Sequence, residues 1–185
     1  MLATVDVLSK GRLTAGVGVG WMSEEIALIG GPPFAERAQA SEEYIQAVRE
    51  LWMAEKPVRQ GPYAAFHKLL FAPKSAQLLH APIWPGREVE GARGRAGRLG
   101  NGRYPVAAIL AFPSILRSFM ADALAEVRAE AERAGRDPGQ IVGAILAIYW
   151  RVGTEQQGRE GGRLAFAGSL QAIVDDIGHF QERGL

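Results

Sequence analysis

Short apolar stretches and longer amphipathic ones alternate along this chain, and that alternation limits its fold more than any other feature. Leu13 to Val19 is small, apolar and brief, as a buried strand is; Ala81 to Pro85 ("APIWP"), Tyr104 to Leu110 ("YPVAAIL") and Ile141 to Val152 repeat the pattern. Between them lie segments with helical spacing. Met1 to Ser9 carries Leu2, Val5 and Leu8, and Lys10-Gly11 ends it as a glycine just past a helix does. Glu36 to Ala54 carries Tyr44, Ile45, Val48, Leu51 and Trp52 as an apolar stripe. Ile115 to Ala134 carries Leu116, Met120, Leu124, Val127 and Ala131 on one face and stops at "GRDP", and Ser169 to Arg183 reads as a final helix. Strand and helix in turn predict parallel βαβ units.

Within this frame, Ser23 before Glu24 and Glu25 reads as a helix start, with hydroxyl and carboxylates placed for free N–H groups. "GGPPF" (Gly30 to Phe34) breaks the chain, and Gly61 to Ala72 reads as an excursion with the character of a hairpin. Arg87 to Gly100 reads as a poor helix: Gly91, Gly94 and Gly97 each cost about 1 kcal/mol relative to alanine. "GTEQQGREGG" is a polar loop. No fixed-period repeat is present.

Bulk composition removes several function classes. The chain has 185 residues, enough for one domain with a core, so 1–185 is expected to be a single domain. Its 21 basic and 20 acidic side chains leave a net charge of +1, which asks for neither nucleic acid nor an anionic membrane. The absence of cysteine excludes disulfides, thiolate metal sites and cysteine nucleophiles. With no apolar run of membrane-spanning length and no apolar leader, the chain reads as soluble and cytoplasmic. His67, His80 and His179 are far apart without metal-ligand spacing, so no metal is expected. No Ser/His/Asp set stands out, and no catalytic residue is assigned.

The stretch "RLTAGVGVGWMSEE" (Arg12 to Glu25) places Gly16, Gly18 and Gly20 at alternate positions. A phosphate loop would need Gly-Lys-Ser/Thr at its end, and a dinucleotide fingerprint a third glycine where Trp21 stands, so both readings fail. Two remain: a packed strand whose glycines admit close neighbours, or a strand end on which a planar ring lies against bare backbone. Arg87, Arg93, Arg95, Arg98 and Arg103 give a local basic excess with little aromatic interleaving. A single anionic group suits it better than a nucleic acid.

Taken together, "ATVDVLSKGRLTAGVGVGWMSEE", "PPFAERAQASEEYIQAVRELW", "APKSAQLLHAPIWPG", "RAGRLGNGRYPV", "AERAGRDP" and "AGSLQAIVDDIGHFQERGL" resemble the bacterial-luciferase-like monooxygenase family, notably its coenzyme F420-dependent branch. The resemblance covers nearly the whole chain. It implies an α/β fold, a partial TIM (β/α)8 barrel with its site at the C-terminal ends of the strands. It implies a flavin- or F420-dependent oxidoreductase or monooxygenase, acting by hydride transfer or oxygen activation on a small-molecule substrate. F420 is the expected cofactor and FMN the alternative. The resemblance also implies that Gly18, Val19, Gly20 and Trp21 line the ring pocket, and that Gly86, Arg87 and Glu88 form the phosphate turn. Arg37 and Glu43 match an arginine and an acidic residue of the family's helix, for which a structural salt bridge is expected. The chain departs from the family at Arg87, where a second turn glycine is usual, and at Asn101 and Arg103 of the "GDGW" element.

A whole barrel runs to about 250 residues. The expectation is therefore a barrel lacking the first strands and the last, whether from a late start, a truncated gene or a degenerate member. Its open sheet edges would favour a homo-oligomer or another partner. The competing expectation is a non-catalytic remnant that binds flavin passively or partners a complete homologue.

Overall fold

In the computed structural model, residues 1–86, 90–104, 113–144, 147, 150–158, 161–182 and 184 are described. The chain divides into two compact units, Met1–Trp84 and Pro85–Leu185.

The first unit opens with α1 (Leu2–Leu8), which turns through Lys10 and Gly11, both at positive φ, into β1 (Ala15–Val17). α2 (Ser23–Leu28) follows, then a 3-10 turn at Phe34–Glu36 that feeds α3 (Arg37–Met53). A short antiparallel hairpin, β2 (Arg59–Gln60) with β3 (Ala65–Phe66), leads to β4 (Ile83–Pro85), the neighbour of β1. The amide of Ala15 donates to Pro82 O at 2.8 Å. Ala15, Ala40, Ile45, Ala47, Trp52 and Ile83 are buried.

Three polar arrangements fix this unit. Asp6, at 0% exposure, accepts from the Ser75 hydroxyl (2.6 Å), the Ala76 and Gln77 amides (2.8 and 3.3 Å) and Gln77 Nε2 (2.8 Å). The same Gln77 Nε2 donates to Leu13 O at 2.8 Å, which holds the chain entering β1. Glu43 accepts from the Tyr63 and Ala64 amides at 3.1 and 2.7 Å and fills the space beside Gly61, tying the hairpin to α3. At the other end of α3, Lys74 Nζ donates to Leu51 O and Ala54 O, at 2.9 and 2.6 Å.

The second unit contains α4 (Glu90–Leu99), β5 (Gly102–Arg103), α5 (Pro113–Arg133) and β6 (Val142–Gly143). Beyond them come β7 (Arg151–Val152), β8 (Ala167–Gly168) and α6 (Leu170–Gln181). β5 pairs with β6 and β7 with β8, both parallel, and a parallel bridge joins Gly86 to Tyr104. Ala96 of α4, Leu124, Val127 and Ala131 of α5, and Ile141 form a buried cluster. Arg163 makes a bidentate pair with Asp176 (2.8 and 2.6 Å), whose carboxylate also accepts from the Phe166 amide. That hydrogen bond to Asp176 keeps the Arg163 guanidinium raised above its usual pKa. Ser169 caps α6, its hydroxyl oxygen accepting from the Ala172 amide at 3.1 Å.

The βαβ reading holds, with four corrections. The segment expected to be a poor helix forms α4 over ten residues, because its face packs on α5. At Gly97 an added Cβ would lie 2.4 Å from Glu130 Cβ and 2.6 Å from Val127 O, so the glycine permits the approach that makes the helix worthwhile. Ser23 is the first residue of α2 and not its cap; its hydroxyl donates to Glu24 Oε2 at 3.0 Å. Of the two residues expected in a structural salt bridge, Glu43 forms one, with Arg59 at 4.0 Å, whereas Arg37 does not pair with Glu43 and its Nη1 donates to Phe34 O. The strand expected from Ile141 to Val152 appears as β6 and β7, with Ala144 and Trp150 outside strand geometry. The expected strand at Tyr104 to Leu110 lies, beyond Tyr104, outside the described residues.

Candidate functional site

The carboxyl end of β1 opens into a cleft of about 440 Å³, a size usual for small-molecule sites. Gly18, Val19 and Gly20 form its floor, Glu25, Ile26, Ile29, Gly30, Gly31 and Pro32 one wall, and Arg37, Ser41 and Tyr44 of α3 the other.

Local chemistry explains the shape. Gly20 has φ +76°, a left-handed conformation that a side chain strains, and a Cβ there would meet Ile26 Cδ1 at 2.9 Å. The chain can therefore turn tightly from β1 into α2. At Gly18 the opposite holds: an added Cβ meets no atom within 4 Å, so bare backbone faces open space. Residues 37, 41 and 44 are spaced i, i+4, i+7 and so share one face of α3. Arg37 is fixed at the head of that face, with Nη1 donating to Phe34 O at 2.5 Å and its guanidinium 3.8 Å above the Phe34 ring.

A second cavity, of about 220 Å³, adjoins the cleft and shares Gly18, Ser41 and Tyr44 with it. Its other lining residues are apolar: Leu2, Ala15, Val17, Ile45, Val48, Trp52 and Ile83. The backbone at Gly18 thus lies between an apolar chamber and a mixed one.

The expected site residues are distributed unevenly over this geometry. Gly18, Val19 and Gly20 line the cleft. Trp21 is 72% exposed and outside the lining. Gly86 lies in the second unit, where a Cβ would stand 3.3 Å from the Tyr104 ring, and Arg87 and Glu88 lie outside the described residues. Sequence reasoning missed the α3 wall. Its signal was present in Tyr44, read as part of the apolar stripe but 41% exposed here. Among the described residues no group of three His, Asp or Glu side chains is placed to hold a metal, and no helix is long and apolar enough to cross a membrane.

The cleft suits a flat ring. It offers backbone without side chains at Gly18, apolar contacts from Val19, Ile26, Ile29 and Pro32, and hydroxyls at Ser41 and Tyr44 on the α3 side.

The pattern of the luciferase-like monooxygenases matches residues 1–157. The FMNH2-dependent dimethylsulfone monooxygenase of Pseudomonas putida is 32% identical over 102 residues, which are 54% of this chain and 28% of that protein. The F420-dependent glucose-6-phosphate dehydrogenase of Microbacterium testaceum is 31% identical over 103 residues, 55% of this chain and 30% of its own length. Among solved structures, an F420-dependent secondary alcohol dehydrogenase in complex with an F420–acetone adduct superposes with a TM-score of 0.77 at 21% identity. That match covers 100% of this chain and 65% of the dehydrogenase. The aligned stretches therefore span less than a third of these curated relatives.

Proposed function

Since the chain belongs to the luciferase-like monooxygenase family, we propose that it is a flavin- or F420-dependent oxidoreductase whose cleft at the end of β1 receives the redox-active ring. F420 is the first candidate and FMN the second, in keeping with the relatives named above. The observation that carries the reading is the open backbone at Gly18, with no atom within 4 Å of where a side chain would begin.

When bound, the cofactor would supply the hydride or the electrons that activate oxygen. The chain's own residues position and shield it. Gly18 to Gly20 present a flat backbone surface, and Val19, Ile26, Ile29 and Pro32 exclude water from one side of the cleft. Ser41 and Tyr44 offer hydroxyl hydrogen bonds on the α3 side of the cleft. A phosphate turn at Gly86, Arg87 and Glu88 belongs to the same reading, as do Trp21 at the mouth of the site, a small-molecule substrate, a cytoplasmic location and self-association through sheet edges.

A fluorescence titration with F420 and FMN in parallel tests it. Saturable micromolar binding of one cofactor is expected. Gly18→Leu should weaken that binding by about 10-fold or more while leaving thermal unfolding unchanged, since the added side chain enters empty space. Failure of both cofactors to bind the folded chain would favour a non-catalytic remnant that partners a complete homologue, and binding without turnover one that holds flavin passively.

A further inference from the structure

The reading above leaves the two charged groups of the cleft, Arg37 and Glu25, without a task. Arg37 lines the cleft, and its side chain is already fixed by Phe34 O and the Phe34 ring. Among the described residues no carboxylate forms an ion pair with it. Arginine presents five N–H donors, and the contact with Phe34 O uses one. One and two turns further along the same face of α3 stand the Ser41 and Tyr44 hydroxyls, so three donors follow one another along one wall. The facing wall is apolar at Ile26, Ile29 and Pro32.

We propose that this wall is the substrate's head-group subsite, and that the substrate class is a small apolar molecule ending in a carboxylate. Arg37 takes the carboxylate, Ser41 and Tyr44 take its remaining lone pairs or a neighbouring oxygen, and the apolar wall takes the body. A guanidinium held in place beforehand loses little freedom on binding, and a planar fork matches a carboxylate's two oxygens. Glu25, exposed on α2, also lines the cleft and opposes any anion there, so it weakens the subsite's hold on anions without choosing among them. The inference rests on the cleft being the cofactor and substrate site, but the subsite can be measured alone.

The test is calorimetric titration of the cofactor-free chain with hexanoate and with hexan-1-ol. Hexanoate should bind about 10-fold more tightly than the alcohol. Arg37→Gln should erase that preference, Arg37→Lys should restore part of it, and Glu25→Gln should strengthen hexanoate binding. Because Arg37 also holds Phe34, the double variant Ser41→Ala/Tyr44→Phe provides a check that leaves that contact alone; it should weaken hexanoate by several-fold. Equal affinity for acid and alcohol, or hexanoate binding untouched in both folded variants, overturns the proposal. So does inorganic phosphate displacing hexanoate at equal concentration, which would assign Arg37 to any anion, a cofactor phosphate included. Hexanoate binding by a chain that takes neither F420 nor FMN would keep the subsite and overturn the ring reading. Cofactor binding without hexanoate selectivity would do the reverse.

Discussion

Asp6 has no exposed surface, and its carboxylate meets four donors from three consecutive residues. Burial alone would raise its pKa, but the Ser75 and Gln77 side chains and the Ala76 and Gln77 amides outweigh burial and hold it at about 2, below the usual 3.8. A carboxyl depressed on folding stabilises the protein above its unfolded pKa and loses that contribution as pH falls. Stability of the first unit should accordingly decline between pH 4 and pH 2, as acid unfolding followed by circular dichroism would show. Asp6→Asn turns one acceptor into a donor facing donors. It should cost about 2–4 kcal/mol in urea unfolding at neutral pH. An unchanged midpoint would mean that the cluster relaxes around the amide. Asp6 lies in the stretch "ATVDVLSKGR" that carries the family resemblance, but nothing local showed its task, since its partners lie 69 to 71 residues away and only folding brings them together.

At the scale of elements, α3 and α5 were legible because their apolar spacing is both the sequence signal and the packing surface, whereas α1 and α6 form as read although Leu2, Val5 and Leu8 of α1 and Leu170, Val174 and Ile177 of α6 are exposed. α4 was not. Its glycines speak against a helix locally, while the contact that rewards them comes from α5, a separate part of the chain. Gly91 and Gly97 should therefore behave differently. At Gly91 a Cβ meets nothing within 4 Å, so Gly91→Ala should be neutral or stabilising by up to about 1 kcal/mol. At Gly97 backbone and Cβ atoms stand 2.4 to 3.0 Å from the new carbon, so Gly97→Ala should destabilise by about 1–3 kcal/mol or more. Thermal unfolding of the two variants side by side decides it. The same division between local and distant causes applies to the cleft. Its floor was readable in the alternating glycines, whereas its α3 wall depends on how that helix lies against α2, which periodicity does not encode.

For the molecule as a whole, the parallel strands of the described residues come in pairs, and β1 has one strand neighbour there, β4. Gly16, in the middle of β1, is exposed. A strand edge of this kind is a template for another strand, and natural proteins cover such edges or block them with charge. Sedimentation velocity should accordingly show concentration-dependent self-association, and Gly16→Lys should shift the population toward monomer. A monomer at all concentrations in the natural chain would show that this edge is otherwise protected. The alternation of elements had made the fold class plain from sequence. Which edges remain open depends on pairing, and pairing is invisible until the strands are placed.

The start of β1 is anchored by residues that take no part in the cleft. Gln77 holds Leu13 O and Asp6, and Pro82 O receives the Ala15 amide, whereas every cleft residue falls between Gly18 and Tyr44. On the proposed reading of the cleft, support and specificity are thus written in different parts of the chain. Lineages descended from such a protein are free to rewrite the segment from α2 to the head of α3, by substitution or by inserted residues, and so acquire new substrates while the platform under them keeps its position.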